Sequence, residues 1–381
     1  MTPSALSGVR VLDFSRVLAG PFCTMLLADM GADVVRVDRL DGDNPLQRDP
    51  RTQLMHRNRR SLALDLKRLE AVSTLLRMCQ SADALIEGFR PGVMERLGLG
   101  PEECLAANPR LVYGRMTGWG QDGPMASRAG HDINYAALSG VLGLLGRADE
   151  RPAPPLNIVA DMGGGGLLLA FGVVCALLEA RGSGQGQVVD ASMVEGSALM
   201  ASTVLELRAA GWWNNPRGRN LLDGGAPFYE VYETSDGGFV AVGAIEPQFY
   251  AELLDGLGLE ADDLPSQLDP RSWPELKERL AQAFATRSRA EWTEIFEGRD
   301  ACVTPVLSLE EAALHPHNTE RGVYLRPDRA LQPAPAPRFS RTAPAMSRRP
   351  PEPGEHSNEI LAEYGFDSGE IEALRDAGAV G

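Results

Sequence analysis

The sequence predicts an α/β protein with an open parallel sheet in its first half and a smaller α+β domain after it. Three observations lead to this prediction. Short apolar runs rich in branched side chains alternate with helical stretches over residues 1–190. A connection rich in glycine and proline follows at 211–227. Beyond it, the turn sequence Ser235-Asp236-Gly237-Gly238 separates two short strands, which is typical of a β-hairpin.

The first strand–helix–strand unit fixes the direction of the sheet. Residues 9–14 are apolar and branched and favour a buried strand, and a helix over 22–30 ends at Gly31. A second strand at 33–38 follows, and two strands joined through a helix lie parallel. The alternation continues along the chain, which predicts an open, Rossmann-like sheet. Further strands are predicted at 61–66, 84–88, 111–116 and 188–189, and further helices at 69–79, 134–145, 166–180 and 193–209.

The second half of the chain has a different pattern. Strands at 228–233 and 239–242 flank the hairpin turn, and a proline- and arginine-rich segment at 332–353 favours an extended crossing. Helices are predicted at 248–257, 273–284, 290–296, 357–364 and 368–377. The predicted parts are a large α/β domain at 1–190, a connecting helix and linker at 191–227, a small α+β domain at 228–325, and a return segment with C-terminal helices at 326–381 that joins the large domain.

The composition of the chain limits its partners. Its net charge is −15 and its isoelectric point about 4.9, and such a surface repels nucleic acid and anionic membranes. Five scattered cysteines form no paired motif, so we expect free, buried thiols in a reducing compartment. The longest apolar run, 167–178, is shorter than the roughly 20 residues that span a bilayer and favours a buried helix. We therefore expect a soluble cytoplasmic protein that binds neither nucleic acid nor membranes.

Two candidate acid–base residues precede predicted helix starts. His131 lies in the stretch 130–135 and Asp161 in the stretch 156–163. Backbone N–H groups at a helix start have no helical partners and favour an anion. A base on each side of a carbon atom, with an anion site between them, is what proton removal and return beside a carbonyl require. Taken alone, capping or core roles are the commoner ones for both residues, and Glu246 fits a plain helix start.

Residues 45–68 carry a local basic excess against the acidic background. They contain seven basic and two acidic residues, and seven minus two gives +5. These residues are Arg48, Arg51, Arg57, Arg59, Arg60, Lys67 and Arg68 against Asp49 and Asp65. Guanidinium groups near strand ends suit phosphate oxygens, so a ligand with several phosphates explains the excess. A solvated charged face explains it equally well, and the sequence leaves both interpretations open.

Seven stretches of the chain match one known family in the same order. They are GADVVRVD (31–38), EGFRPGV (87–93), MTGWGQ (116–121), GHDINY (130–135), QVVDA (187–191), LDGGAP (222–227) and GAIEPQFY (243–250). Together they resemble the α-methylacyl-CoA racemases of the family III CoA-transferase superfamily, over nearly the whole chain. The resemblance implies an isomerase of fatty acid metabolism that acts on acyl-CoA, with CoA as part of the substrate and no separate cofactor or metal. It also implies an interlocked homodimer, in which each chain forms a ring threaded through the other.

The resemblance also implies roles for individual residues. His131 and Asp161 match the family's catalytic histidine and aspartate, and Glu246 matches a glutamate that pairs with the histidine from the partner subunit. The residues expected to bind CoA in the large domain are Arg39, Leu64, Asp65, Leu66, Lys67, Gly88, Phe89, Arg90, Arg96, Gly130, Asp132, Ile133, Asn134 and Tyr135. Because CoA carries several phosphate groups, this placement supports the ligand interpretation of the basic excess.

The expected reaction inverts the α-carbon of a 2-methylacyl-CoA thioester through an enolate. Neutral His131 takes the α-proton from one face and protonated Asp161 returns a proton to the other, while the reverse reaction exchanges their roles. Glu246 orients the imidazole, and the backbone N–H of Asp132 stabilises the enolate oxygen.

Two other functions remain open at this point. A CoA transferase would move CoA between carboxylic acids through covalent intermediates on Asp161. Such an enzyme needs no proton-abstracting imidazole, so the setting of His131 favours racemisation. A non-catalytic acyl-CoA-binding protein would leave His131, Asp161 and Glu246 together without a role.

Overall fold

The computed structural model describes residues 4–40, 49, 52–213, 215–327 and 330–381. The chain divides into two compact units. Unit 1 consists of Met1–Ser139, Leu156–Met200 and Gly322–Gly381, and unit 2 consists of Gly140–Pro155 and Ala201–Arg321. Each unit is built around its own buried apolar side chains.

Unit 1 is built on a parallel sheet, which confirms the α/β fold class predicted from the sequence. Its strands are β1 (Arg10–Asp13), β2 (Asp33–Asp38), β3 (Arg60–Ala63), β4 (Ala84–Glu87), β5 (Val112–Thr117) and β6 (Val188–Ser192). They are hydrogen-bonded in the order β3–β2–β1–β4–β5–β6, and each neighbouring pair is parallel. Branched apolar side chains are frequent in β1, β2 and β4 because helices cover both faces of the sheet.

Helices from both ends of the chain cover this sheet. Those of unit 1 are α1 (Ala19–Asp29), α2 (Leu69–Cys79), α3 (Val93–Arg96), α4 (Pro101–Ala107), α5 (Asp132–Leu138), a π-helix (Ile158–Leu167), α6 (Leu168–Ser183), α7 (Met193–Met200), α14 (Ser357–Glu363) and α15 (Ser368–Asp376). The pleat of β1 sends Leu12 into the cluster formed with α2, α4, α14 and α15. Its neighbour Val11 packs on the opposite face, with α1 and α6.

The strand order reverses between β1 and β4, and this reversal positions the loops that follow them. The chain passes from β1 to β2 on one side, whereas β4 lies on the other side. The loops that begin at Ser15 and at Gly88 therefore diverge and leave a crevice at the carboxyl edge of the sheet. Ligands of open parallel sheets bind in such a crevice.

A run of glycines lets three helices of unit 1 approach closely. A methyl group at Gly164, in the π-helix, would lie 2.6 Å from the backbone nitrogen of Ser197 in α7. A methyl group at Gly166 would lie 2.5 Å from the carbonyl oxygen of Ala19 in α1. Both distances are far shorter than a van der Waals contact. Glycine is therefore required for the π-helix to pack between α1 and α7.

The apolar run at 167–178 is only partly buried, so the prediction of a buried helix is wrong for one of its sides. The π-helix and α6 run continuously over Ile158–Ser183, and these 26 residues are long and apolar enough to cross a membrane by length and composition. One side packs against the sheet through Leu169 and Val173. The other side exposes Leu167, Phe171, Val174 and Leu178. Periodicity missed this face because the helix is apolar on both sides.

Two predicted helices are interrupted. The helix predicted at 134–145 is observed as α5, which ends before Gly140, where φ is +88°. The helix predicted at 193–209 breaks at Ala201 into α7 and α8 (Ser202–Ala209). Apolar residues continue through both breaks, so the pattern did not locate them. The predicted bounds of β2, α2 and the helix at 273–284 agree with the structure.

Cysteine burial differs from the prediction at two positions. All five cysteines lie within the described residues and are free thiols. Cys23, Cys79 and Cys104 are buried, as predicted, but Cys175 and Cys302 are exposed. Cys175 lies on α6, where the prediction of full burial was also wrong, and Cys302 lies in the turn before a short strand.

Unit 2 has an antiparallel sheet and helices on its own core. Its strands are β7 (Tyr229–Glu233), β8 (Phe239–Gly243) and β9 (Val303–Pro305), and β9, only three residues long, was not predicted. Besides α8, its α-helices are α9 (Pro247–Leu257), α10 (Trp273–Phe284), α11 (Arg289–Phe296), α12 (Leu309–Leu314) and α13 (Pro316–Glu320). Aromatic rings fill the core: Phe284 stacks on Tyr232 at 5.1 Å and meets Trp292 edge-to-face at 5.3 Å. The strands β10 (Tyr324–Leu325) and β11 (Gln332–Pro333) form a separate antiparallel pair in unit 1.

Residues 140–155 group with unit 2, whereas the predicted boundary includes them in the large domain. Arg217 donates to the carbonyl oxygens of Gly143 and Glu150, and Arg219 binds Asp149 at 2.8 Å. These contacts join segments about seventy residues apart in the chain, so the local pattern could not show them.

Candidate functional site

His131 and Asp161 stand at two helix starts of unit 1 that are tied together. His131 immediately precedes α5, and the side-chain oxygen of Asn134 accepts its backbone N–H at 3.0 Å. Asp161 lies in the first turn of the π-helix. The carboxylate of Asp132 accepts the backbone N–H groups of Ala160 and Asp161, both at 2.8 Å. One side chain thus joins the two helix starts and holds both candidate bases in one neighbourhood.

An aromatic pair supports the loop that carries His131. Tyr135 is buried, and its ring meets that of Trp119 edge-to-face with centroids 4.7 Å apart. A methyl group at Gly130 would lie 2.6 Å from the Tyr135 ring, and one at Gly118 would lie 2.1 Å from it. The ring can therefore lie against these backbones only because both residues are glycine. Ile133 is 41% exposed at the start of the helix.

Asp161 is a buried acid with a raised pKa. Asp161 is only 5% exposed. Burial, and to a smaller extent the negative charge of Asp132, raises the pKa of its carboxyl to about 6. The charge of His131 and a hydrogen bond from Asn157 oppose this shift. At pH 7 about a tenth of such carboxyls are protonated, against far below 1% at the ordinary value. An exposed imidazole beside a buried acid of this kind suits proton transfer in either direction.

Glu246 belongs to unit 2, where it is the exposed residue at the start of α9. Its backbone carbonyl accepts the N–H of Tyr250 at 3.0 Å, which confirms the predicted helix start. The pairing of its carboxylate with the imidazole of a partner subunit stays a prediction.

A cavity of about 280 Å³ lies at the carboxyl edge of the sheet in unit 1. Six residues expected to bind CoA line it, namely Arg39, Leu64, Asp65, Leu66, Lys67 and Phe89. Arg16, Leu40 and Leu97 complete the wall and were not predicted. The guanidinium of Arg16 lies 5.7 Å from the centroid of the Phe89 ring, within cation–π range. Its position in the loop after β1, at the reversal of strand order, is the signal that could have identified it.

The remaining residues expected to bind CoA lie outside the lining of this cavity. Gly88 and Arg90 are exposed in the loop after β4, and Arg96 is exposed at the end of α3. Burial and the charge of Asp161 raise the pKa of Tyr135 to about 12, and the charge of Arg90 opposes this shift. The loop after β4 therefore contributes Phe89 to the cavity wall while the charge of Arg90 acts near the start of α5.

Buried carboxylates at strand ends hold the loops that form the cavity. Glu87, at the end of β4, accepts the backbone N–H of Phe89 at 2.7 Å. Asp13, at the end of β1, accepts the backbone N–H of Ser15 at 2.9 Å and pairs with Arg59 at 2.5 Å. The side chains of Asp13 and Arg59 are fully buried. The conformations of both loops are thus fixed from within the core.

Three of the seven basic residues at 45–68 are buried arginines that form ion pairs with aspartates. The pairs are Arg57–Asp29, Arg59–Asp13 and Arg60–Asp33, with N–O distances of 2.6, 2.5 and 2.6 Å. Both interpretations, a phosphate ligand and a solvated face, are therefore wrong for these three arginines. Their partners lie on β1, α1 and β2, too distant in sequence to be recognised. Lys67 lines the cavity, Arg68 pairs with Asp65 at 3.7 Å, and Arg48 and Arg51 lie outside the described residues.

Unit 2 contains a larger cavity, of about 670 Å³. The buried carboxylate in its wall, Glu230, receives hydrogen bonds from Arg147 and Lys277. Burial raises its pKa, but the N–H of Val231 and these two cations outweigh burial and lower it overall. Glu230 is thus held as an ionised partner of two cations, which does not suit a proton carrier. Within the described ranges, no cluster of histidine, cysteine and carboxylate side chains is arranged to hold a metal ion.

Comparison with known proteins assigns the family. Residues 6–357 match the family described as CoA-transferase family III. The chain belongs to CoA-transferase family III. It is 54% identical to the α-methylacyl-CoA racemase of Mus musculus over 370 residues, which cover 96% of this chain and 95% of that protein. It is 50% identical to the α-methylacyl-CoA racemase of Homo sapiens over 372 residues, which cover 97% of this chain and 96% of that protein.

More distant relatives in CoA-transferase family III carry other names. The chain is 30% identical to the succinyl-CoA:glutarate CoA-transferase of Mus musculus over 401 residues, covering 98% of this chain and 90% of that protein. A crystal structure of a CAIB/BAIF family protein from Brucella suis matches with a TM-score of 0.81 and 24% identity, covering 95% of this chain and all of that one. That likeness shows the fold alone.

Replacing Asp161 by asparagine is expected to stabilise the protein at alkaline pH. Because its pKa is raised in the folded protein, the folded state keeps a proton that the unfolded state loses between about pH 3.8 and 6. Stability therefore falls as the pH rises through this window, and the buried carboxylate is unfavourable above it. We expect D161N to raise the free energy of unfolding by about 1–3 kcal/mol at pH 8, and by little at pH 4. Urea denaturation at both pH values measures this difference.

The matched control for D161N is Asp122→Asn, which removes an exposed carboxylate from the same unit. This control should change the free energy of unfolding by less than about 0.5 kcal/mol at either pH. If D161N and the parent protein unfolded at the same urea concentration at pH 8, the raised pKa of Asp161 would be contradicted.

Proposed function

We propose that this protein is an α-methylacyl-CoA racemase, which inverts the α-carbon of 2-methylacyl-CoA thioesters by proton transfer between two bases. The observation that carries the proposal is the tie between the helix starts of His131 and Asp161, made by the carboxylate of Asp132. The 50–54% identity with two named racemases over nearly the full chain supports it.

The proposed reaction uses the two bases on opposite faces of the α-carbon. Neutral His131 takes the α-proton, and the electrons of the broken C–H bond pass to the thioester oxygen as an enolate. Protonated Asp161 then gives its proton to the other face, which leaves an imidazolium and a carboxylate. The reverse direction starts from that state. The first N–H groups of α5, which have no helical partners, supply the donor for the enolate oxygen, and that of Asp132 is our candidate.

The CoA part of the substrate is proposed to occupy the cavity at the carboxyl edge of the unit 1 sheet. Arg16, Arg39 and Lys67 place three cations in its wall, which suits the phosphate groups of CoA. Phe89 joins this wall to the loop that carries Arg90. The thioester end would then lie toward the start of α5.

Replacing either base should strongly slow racemisation but leave proton exchange on one face of the α-carbon. We expect H131A and D161N each to lower the racemisation rate by about 10²–10⁴, the usual contribution of a general acid–base group. In D₂O each variant should still exchange the α-proton of one enantiomer only, because one base remains. Incubation of each enantiomer of a 2-methylacyl-CoA, followed by NMR of the α-carbon, measures both quantities.

The same assay separates racemisation from CoA transfer, the activity named for a 30% identical relative. A racemase incorporates deuterium into a single acyl-CoA without any acceptor acid. A transferase moves CoA only when a second carboxylic acid is present, and the α-proton is retained. CoA transfer without exchange of the α-proton would reject the proposed function. Racemisation at the parent rate by both H131A and D161N would reject the assignment of His131 and Asp161 as the two bases.

Removing the lysine from the cavity should weaken substrate binding without slowing proton transfer. We expect K67A to raise KM for acyl-CoA by roughly tenfold, the effect of losing one charge-assisted contact, with kcat nearly unchanged. Steady-state kinetics measure both constants. Arg110→Ala is the control, because it removes an exposed cation of unit 1 outside this cavity. Equal KM values for K67A and R110A would place CoA elsewhere.

We further propose that the protein is a homodimer and that Glu246 serves the His131 of the other subunit. The exposed apolar side of α6, with Phe171 66% and Leu178 71% exposed, favours a protein partner. In this arrangement Glu246 orients the imidazole and stabilises its cation.

The cysteines support a proposed location in the cytoplasm. All five are free thiols and two of them are exposed, which suits a reducing compartment. Branched acyl-CoA thioesters of fatty acid metabolism would be the substrates there.

Mixed dimers test whether Glu246 acts across subunits. A dimer formed from an H131A chain and a Glu246→Gln chain contains one intact site only if the glutamate comes from the partner. Random pairing gives half mixed dimers with one active site of two, so co-expression should restore about a quarter of the parent activity.

The control for this experiment is co-expression of H131A with D161N. Both residues belong to unit 1 of the same chain, so each mixed dimer retains two defective sites. Recovery in neither mixture would show that Glu246 acts within its own chain, and a sedimenting mass near the 41.0 kDa of one chain would exclude the dimer itself.

A further inference from the structure

The carboxylate of Asp132 is fully engaged on one oxygen and unpartnered on the other. Its Oδ2 accepts the N–H groups of Ala160 and Asp161, each at 2.8 Å. Its Oδ1 is buried and has no hydrogen-bond partner among the described residues. The residue is only 5% exposed. A buried carboxylate oxygen that receives no hydrogen bond lowers the stability of the folded protein. The presence of such an oxygen beside two candidate bases therefore points to a functional reason.

We propose that Asp132 is a positioning residue whose side chain fixes Asp161 and keeps it available as a proton donor. This inference rests on the proposed function and adds a role for a side chain that does not touch the reacting carbon. The geometry supplies two effects. The hydrogen bonds hold the backbone of Asp161 against the start of α5, and the negative charge of Asp132 stands beside the second carboxyl.

The two hydrogen bonds also occupy donors that would otherwise favour an ionised Asp161. The first N–H groups of a helix stabilise a nearby carboxylate. Here the N–H groups of Ala160 and Asp161 are directed to Asp132 instead. Two N–H groups near the start of this helix are therefore unavailable to the carboxyl of Asp161, which also lies near the negative charge of Asp132.

Other charged and titratable groups around Asp161 do not supply this effect. His131 opposes it, and Tyr135, with a pKa of about 12, is neutral at pH 7. On α7, Glu195 accepts a hydrogen bond from Ser192 at 2.5 Å. On α1, Asp29 is paired with Arg57, and the thiol of Cys23 is buried with its pKa raised. Asp132 is the neighbouring anion that acts on Asp161.

A double-mutant cycle tests the coupling without relying on catalysis. D132N keeps a side-chain oxygen that can accept both N–H groups but removes the charge. We expect the gain in urea midpoint that D161N gives at pH 8 to be smaller in a D132N background, because the repulsion is already absent and only the part due to burial remains. At pH 4, where Asp161 is protonated in the folded protein, the coupling should vanish. All four proteins are measured at one protein concentration, since association shifts the midpoint.

Proton exchange provides the functional arm of the test. In H131A only Asp161 remains at the α-carbon, so the pH profile of exchange reports its titration. We expect H131A/D132N to show a midpoint lower by roughly one pH unit, and a plateau about threefold lower because the base is weaker. Exchange by D161N, which uses His131 alone, should change less when D132N is added. Asp122→Asn is again the charge control in each background.

The outcomes separate the inference from the proposed function. Absence of exchange by the parent protein rejects the racemase, while the urea cycle still tests the coupling. Additive urea midpoints at pH 8 reject the inference whatever the activity. If H131A and H131A/D132N gave coincident pH profiles of exchange, Asp132 would have a merely structural role. The same conclusion would follow if D132N lowered the exchange rate equally in the H131A and D161N backgrounds. Asp132→Ala, which removes the acceptor as well as the charge, should lose more stability than D132N.

Discussion

The position of Asp161 depends on backbone contacts that only glycine allows. The π-helix packs between α1 and α7 because Gly164 and Gly166 carry no side chains that would collide with the backbones of Ser197 and Ala19. The acid is therefore placed by main chain rather than by flexible side chains. The same close packing buries it, and burial is the first cause of its raised pKa. Geometry and acidity at this site thus follow from one packing constraint.

Two other buried carboxylates of unit 1 lie beside a positive charge and not beside another carboxylate. The buried carboxylates of Asp13 and Asp29 are each paired with an arginine from the basic segment between residues 45 and 68. Burying an ion without a partner is strongly unfavourable, so pairing is the expected outcome in a core. Near Asp161 the arrangement is reversed, because the adjacent charge is that of Asp132. The two carboxylates that are left together are the ones beside the proposed reaction.

The sequence predicted what depends on local pattern and missed what depends on tertiary partners. Apolar runs between turn residues located β2 and α2 with the observed bounds, and the helix start after His131 was recognised. The helix predicted from residue 166 begins eight residues earlier, at Ile158, so Asp161 lies inside its first turn and not ahead of it. The burial of Arg59 depends on Asp13, far away in the chain. The exposed side of α6 was missed because this helix is apolar on both sides, and β9 was missed because it is only three residues long. The side-chain role of Asp132 was missed, like the burial of Arg59, because its acceptor contacts lie 28 and 29 residues further on.

The raised pKa of Asp161 links stability to a reaction that must run in both directions. A two-base racemase alternates between a neutral imidazole with a protonated acid and an imidazolium with a carboxylate. At an ordinary aspartate pKa of about 3.8 there would be a large free-energy gap between the protonated and the ionised acid at neutral pH. Raising the pKa of Asp161 to about 6 narrows this gap by roughly 3 kcal/mol. The free energy that raises the pKa of Asp161 also lowers the stability of the folded protein above pH 6. Burial of this acid therefore costs stability, and in return it brings the protonated and ionised forms of Asp161 closer in free energy.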